Sequence, residues 1–271
     1  MFYHLSSTTK RKDSNSFKNL IRNADVKAIF CDIDGTLTDE RLVLSVAAIN
    51  AIRRLNEAGL PTILSSGSCW YAVDIFARYI PSFPTFISEN GAVIMSRSRF
   101  FSLDEDGLFS LGKPEKETII GSPTPPRKCL DSLREIIPRE QIVLAGDMPF
   151  RKVEVVLERL FPFDLLQNHA SEGWLAEHVR VIDTKFAYHI SPKEVNKGRA
   201  LQITCREYLS VPVENTLAVG DGSNDVEMID VAGVGVALAN GDPVLKQSAD
   251  YVTNDPFGLG FQEVAETILK L

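Results

Sequence analysis

The sequence predicts an α/β protein: a doubly wound, Rossmann-like parallel sheet interrupted by an inserted α/β cap domain. Three observations lead there. Short apolar runs alternate with segments of helical period from Lys27 onward. The rhythm falters between about Met95 and Ala187, amid stretches rich in Pro and Gly, and resumes after His189. Two of the apolar runs end in carboxylates, in "FCDIDGTLTDE" and "LAVGDGSND".

Taken in order, residues 1–24 are polar and mildly basic and read as a flexible N-terminal tail. "VKAIFCDID" is a strand buried on both faces. "SVAAINAIRRLNEAG" is a helix, with Ser45 as its N-cap and Gly59 at its end. "LPTILSSGS" is a strand entering a turn, "WYAVDIFARYI" a helix stopped by Pro81, and "PTFISENGAVI" a third strand with a turn. Residues 95–187 form the expected cap, with a helix at "CLDSLREII" and strands at "RKVEVVLERL", "VRVIDT" and "FAYHI". The expected core is therefore 25–94 and 188–271. Its second half reads helix ("NKGRALQITCREYL"), strand ("NTLAVGD"), helix ("DVEMIDVAG"), strand ("VGVAL"), helix ("PVLKQSA"), strand ("DYVTN") and helix ("GFQEVAETILKL").

The chain has 271 residues, 44% apolar and 24% charged, with a formal net charge of -7. That balance argues against nucleic acid as the main partner. The cysteines Cys31, Cys69, Cys129 and Cys205 form no C-x-x-C pair and read as free thiols in a reducing compartment. There is no apolar signal region and no membrane-length apolar run. A cytoplasmic protein, monomer or homodimer, is expected.

Four features fall at the carboxyl ends of core strands, where open parallel sheets bind ligands. Asp32-Ile33-Asp34-Gly35-Thr36 ends the first strand, and Gly35 permits a sharp turn whose backbone and hydroxyl can face an anion. Ser65-Ser66-Gly67-Ser68 ends the second; alone it is an ordinary Ser-Gly turn. Lys197 opens a helix, where the dipole gives a cation nothing, so a bound anion would explain it. Alone it is a solvated lysine. Gly220-Asp221-Gly222-Ser223-Asn224-Asp225 ends a buried strand in one acid and opens a helix with another; capping explains Asp225 but not Asp221. Together the acids suit a hard cation with oxygen ligands. An aspartate and a phosphate dianion ~4 Å apart repel by roughly 6–8 kcal/mol at an effective dielectric of ~20. A divalent cation held by Asp32 and Asp221, with Lys197, would remove that barrier to attack.

These residues resemble the haloacid dehalogenase superfamily, and within it the Cof-type phosphatases with a large α/β cap. The matches are "DIDGT", Ser66 in "SSGS", Lys197 in "NKGRAL" and "GDGSND", with "SENGA" and "NGDPVLKQSADYVTN" also alike. The likeness spans about residue 26 to 271. It implies Asp32 as nucleophile, forming an aspartyl-phosphate, and Asp34 as general acid and then base. It implies Ser66, Gly67, Lys197, Asn224 and Asn90 as phosphate- or substrate-binding residues. Mg2+ would be held by Asp32, Asp34 (through its backbone carbonyl), Asp221 and Asp225. Many Cof-type enzymes carry Thr-Gly-Arg where this chain has Ser66-Gly67-Ser68, which is more similar to the phosphoglycolate phosphatase and sucrose-phosphatase-like branch. The implied substrate is a small phosphorylated metabolite, phosphoglycolate or a sugar phosphate, because a cap excludes folded macromolecules. Arg151 and Lys152 are cap residues able to read a substrate carboxylate or sugar; the alternative is that both are solvated. Two other functions remain open: a phosphomutase of the same superfamily, and a non-catalytic phospho-acceptor or binding module, in which Asp34 would have no use.

Overall fold

The computed structural model describes residues 14–80, 82–97, 101–103, 109–111 and 115–271. The start of the expected tail (1–13) and the expected helix stop Pro81 lie outside the described residues.

The strands are β1 Ala28–Cys31, β2 Thr62–Ser65, β3 Thr85–Ser88, β4 Val93–Ser96, β5 Phe101–Leu103, β6 Phe109–Leu111, β7 Lys116–Ile119, β8 Val155–Leu157, β9 Val179–Asp183, β10 Tyr188–Pro192, β11 Thr216–Gly220, β12 Val234–Ala237 and β13 Tyr251–Val252. The helices are α1 Ser14–Ala24, α2 Val46–Glu57, α3 Trp70–Tyr79, α4 Thr124–Leu133, α5 Phe163–Ala170, α6 Gly173–His178, α7 Lys197–Thr204, α8 Val226–Val231, α9 Pro243–Ser248 and α10 Phe257–Leu269.

One sheet runs in the order β13-β12-β11-β1-β2-β3-β4-β7. It is parallel from β13 to β3, and β4 is antiparallel to both its neighbours. The strands β1, β2, β3, β11 and β12 are buried along their whole length, as their continuous apolar runs require. From β1 the chain builds outward through β2 and β3, then returns on the other side through β11 and β12. The strand order thus reverses between β1 and β11, and the crevice beyond their carboxyl ends is the natural binding site. Ser45 caps α2 as expected, its hydroxyl accepting the Ala48 amide at 3.4 Å.

The cap is a three-stranded antiparallel sheet, β8-β10-β9, covered by α4, α5 and α6. It owns a separate apolar core that includes Leu133, Leu157, Leu166 and Ile190. Both expected core boundaries shift. The main sheet keeps β4 and β7, so it extends past residue 94 to Ile119. β7 is a mostly exposed, charged edge strand, and such a strand looks like loop in sequence. β10 pairs with β8 and β9 and not with the main sheet, so 188–192 belongs to the cap. β10 forms a hairpin with β9 across residues 184–187, while its other partner, β8, lies far upstream and leaves no local signal.

The expected flexible tail is corrected from residue 14 onward. Residues 14–24 form α1, whose Phe17 and Ile21 are buried. Phe17, Leu20, Ile21 and Ala24 recur at helical spacing within an otherwise polar segment. The Phe17 ring stacks on Tyr251, centroids 4.0 Å apart, closing the β13 edge. Phe17→Ala is therefore expected to destabilise the protein by about 3 kcal/mol. An unfolding free energy from denaturant titration that falls by less than about 0.5 kcal/mol would mean that the docked helix adds nothing.

The four cysteines are buried and free. Among the described residues no helix is long and apolar enough to cross a membrane.

Candidate active site

β1 delivers Asp32 to the sheet edge, where its amide still donates to Val219 O (3.0 Å). β11 delivers Asp221 beside it. The turn after Asp34 must pass close to Asp221, and Gly35 makes this possible: its φ is +81°, and a Cβ there would lie 2.5 Å from Asp221 Oδ2. Thr36 Oγ1 donates to Asp221 Oδ1 (3.2 Å), tying the two loops together. Gly220 is equally constrained, since its Cβ would lie 2.5 Å from the Asp225 carboxyl carbon. Asp225 Oδ2 accepts the amides of Asp221 (3.1 Å) and Gly222 (3.0 Å).

Lys197 sits at the start of α7, capped by the Asn196 side chain, which accepts the Arg199 amide at 2.7 Å. It is fully buried, and its Nζ donates to Asp32 Oδ1 (2.5 Å) and Asp225 Oδ1 (2.6 Å). Those two carboxylates overcome the cost of burial and raise its pKa, so it stays charged.

The acids are crowded. Burial raises Asp32 well above the usual carboxylate range; Lys197 opposes this, while Asp225, Asp221 and Asp34 add to it. Burial, then Asp225, push Asp221 up to about 7. Burial raises Asp34 too, against Lys197, a Ser68 hydrogen bond and His189. A site that resists ionisation of clustered acids calls for further positive charge. Ligand oxygens of Asp32, Asp221 and Asp225 lie within 4.8 Å of one another, and an all-oxygen donor set suits Mg2+. Asp225 accepts three hydrogen bonds of 2.6–3.1 Å over both oxygens, whereas Asp221 accepts only longer ones, from Thr36 (3.2 Å) and Asn240 (3.4 Å), and Asp32 accepts from Lys197 at Oδ1, so Asp32 and Asp221 are the freer donors. The Asp34 side chain lies outside this cluster.

A cavity of about 580 Å³ opens over these groups. Its lining includes Asp32, Asp34 and Asp221 from the core and Arg151, Phe186 and His189 from the cap.

A family model of haloacid dehalogenase-like hydrolases matches residues 29–108 and 168–256. The phosphoglycolate phosphatase of Archaeoglobus fulgidus is 34% identical over 240 residues, spanning 89% of this chain and 96% of its own. The chain belongs to the haloacid dehalogenase-like hydrolases. The phosphoglycolate phosphatase of Methanothermobacter thermautotrophicus is 31% identical over 244 residues, spanning 90% and 99%. A crystal structure of a Thermoplasma acidophilum protein shares the fold, with a TM-score of 0.74 at 19% identity over 91% of this chain and 99% of that one. As a haloacid dehalogenase-like hydrolase of the phosphatase class, the chain is an enzyme, not a non-catalytic binding module.

In this hydrolase the structure brings Asp32, Asp34, Lys197, Asp221 and Asp225 to one edge. Ser66 is buried and its hydroxyl accepts the Ser68 amide (3.0 Å), while Gly67 and Ser68 line the cavity. Ser68 Oγ donates to Asp34 Oδ2 (3.4 Å), a contact the sequence motif did not reveal. Asn224 Nδ2 donates to Asn90 Oδ1 (3.0 Å). Asn90 lies behind Gly67, with φ 51°, and its Nδ2 donates to Glu154 Oε1 (3.0 Å) of the cap. Arg151 is not solvated: its guanidinium donates to Asp147 (2.7 and 3.0 Å), Glu154 (3.1 Å) and the Gly67 carbonyl (2.9 Å). Lys152 reaches Glu117 at 2.5 Å, away from the cavity lining.

Glu154 and His189 were missed. Their one signal in the sequence was a glutamate inside the apolar run "VEVVL". Glu154 is buried and accepts from Ser191 Oγ, Asn90, Arg151 and His189 Nδ1 (2.9 Å). Burial pushes its pKa up, but His189, Arg151 and Ser191 more than offset this and hold it at about 2.

Proposed function

We propose that the chain is a Mg2+-dependent phosphatase of a small phosphorylated metabolite, phosphoglycolate before a sugar phosphate. The observation that carries this reading is Asp32 held by buried Lys197 beside Asp221 and Asp225, at the floor of a capped cavity. The relatives named phosphoglycolate phosphatase, and the short Ser66-Gly67-Ser68 loop, support the choice of substrate.

Asp32 attacks phosphorus, forming the aspartyl-phosphate bond as the ester bond to the leaving oxygen breaks. Asp34, whose protonated form burial favours, donates its proton to that oxygen. It then takes a proton from water as the water attacks phosphorus, releasing phosphate and restoring Asp32. Lys197 and the Ser66 hydroxyl hold the phosphoryl oxygens, and Asn224 positions them. Mg2+, when bound by Asp32 and Asp221, with Asp225 in support, supplies the charge that lets two anions meet.

The test is phosphate release from phosphoglycolate and from a panel of sugar phosphates. The expected kcat/KM for phosphoglycolate is at least ~10-fold above the sugar phosphates. Chelation should abolish turnover and Mg2+ restore it. Activity that survives rigorous chelation, or no turnover of any ester, contradicts the proposal.

A further inference from the structure

We infer that His189 is a specificity-determining residue, its Nε2–H donating to the carboxylate of a phosphorylated hydroxy acid while Glu154 holds the ring in place. The inference rests on the phosphoglycolate reading above.

His189 is on β10, only 4% exposed, yet it lines the cavity. Its Nδ1 lies 2.9 Å from Glu154 Oε2. An ionised carboxylate only accepts, so Nδ1 must be the donor, which fixes the ring's orientation. The Asn90 amide, 3.2 Å from the same nitrogen, gives its hydrogen to Glu154 Oε1 (3.0 Å). Nε2 has no hydrogen-bond partner among the described residues. A nearly buried ring is thus clamped on one side and open on the other, toward the substrate space.

Its location selects the part of the substrate it would meet. His189 lines the cavity from the cap strand β10, while Asp32 and Asp34 line it from the core, so the ring stands on the cap side of the space and the attacking and proton-donating acids on the core side. The other cationic side chains of the cavity are matched by carboxylates. Arg151 is tied to Asp147, Glu154 and the Gly67 carbonyl, and Lys185, at the exposed mouth, to Asp242 (2.7 Å). In phosphoglycolate the carboxylate is one carbon from the ester oxygen, so a group bound beside Asp34 falls at this ring. A carboxylate needs a donor. With one N–H already given to Glu154, the ring that binds it is the imidazolium, whose charge Glu154 balances.

Two substitutions separate this role from a structural one. The amide nitrogen of Asn overlays Nδ1 and keeps the Glu154 bond; that of Gln overlays Nε2 and keeps the substrate bond. His189→Asn should lower kcat/KM on phosphoglycolate by ~10–100-fold while leaving phenyl phosphate, which lacks a carboxylate, within ~3-fold. His189→Gln should retain more phosphoglycolate activity than His189→Asn. Equal losses on both esters, or the reverse order of the two variants, would make the ring an anchor for Glu154 and overturn the inference. A wild-type enzyme that does not favour phosphoglycolate over phenyl phosphate overturns the substrate reading itself. A measurement that needs no change at 189 backs the variants up. In Asp32→Asn protein with Mg2+, the His189 Nε2 resonance should shift on adding phosphoglycolate and stay put on adding phenyl phosphate. A shift with both, or with neither, refutes the contact.

Discussion

Asp32→Asn is expected to abolish turnover, with a loss of at least ~10⁴-fold in kcat, because an amide oxygen cannot form the covalent intermediate. The substitution is nearly isosteric and leaves an acceptor for Lys197 Nζ, now 2.5 Å from Asp32 Oδ1. Its effect on stability should run the other way from most active-site changes. Burial and three neighbouring acids already disfavour the Asp32 carboxylate. A neutral group there removes repulsion from Asp225 and Asp221, so the thermal midpoint without metal should hold or rise. Retention of more than a few per cent of activity would show that another group attacks phosphorus. A lowered midpoint would show instead that the Lys197 ion pair outweighs the acid repulsion. Phosphate release and calorimetry on the same preparation decide both points.

The parts of this site that could be read in sequence are those whose chemistry is local. Asp32, Asp34 and Gly35 lie within four consecutive positions, and a buried apolar strand that runs straight into two acids needs a charged ligand to meet them. Asp221 and Asp225 repeat the pattern one strand away, and the strand order β11-β1-β2 sets the two acid loops side by side. Lys197 was legible only in company: its helix gives no reason for a cation, and the acids do. What sequence could not show is pairing across distance. The segment "FAYHI" reads as a cap strand, but the pairing of β10 with distant β8, which holds residues 188–192 in the cap beyond the expected boundary, leaves no mark in the sequence. The same blindness hid Glu154 and His189. Their network joins β10 and the stretch before β8 to Asn90 of the core, and none of these segments is near another in the chain. Helix α1 failed for a different reason. Its apolar face is narrow, and the polar residues around Phe17 and Ile21 dominate any average over the segment.

Lys197→Met is expected to cost both activity and stability, by different routes. The side chain is the cation that touches both Asp32 and Asp225. Its removal leaves two buried carboxylates without their partner, a loss of about 3–5 kcal/mol when no metal is present. Turnover should fall by ~10³-fold or more, because the phosphoryl oxygens lose their fixed positive charge. Mg2+ gives the sharper readout. In the wild type Lys197 repels a divalent ion from the same acids; without it, Asp32, Asp221 and Asp225 present a more negative cluster and should bind Mg2+ more tightly. Ligand binding to the folded state raises its stability with the ratio of concentration to Kd. The Mg2+-induced rise in thermal midpoint should therefore be larger in Lys197→Met than in the wild type, while activity stays lost. A variant that regains activity with Mg2+ would reduce Lys197 to a stand-in for the metal. A variant whose midpoint ignores Mg2+ would remove Asp32 and Asp221 from the metal site. Only a lysine that serves the phosphoryl group, beside a metal served by the aspartates, gives stability restored and turnover still absent.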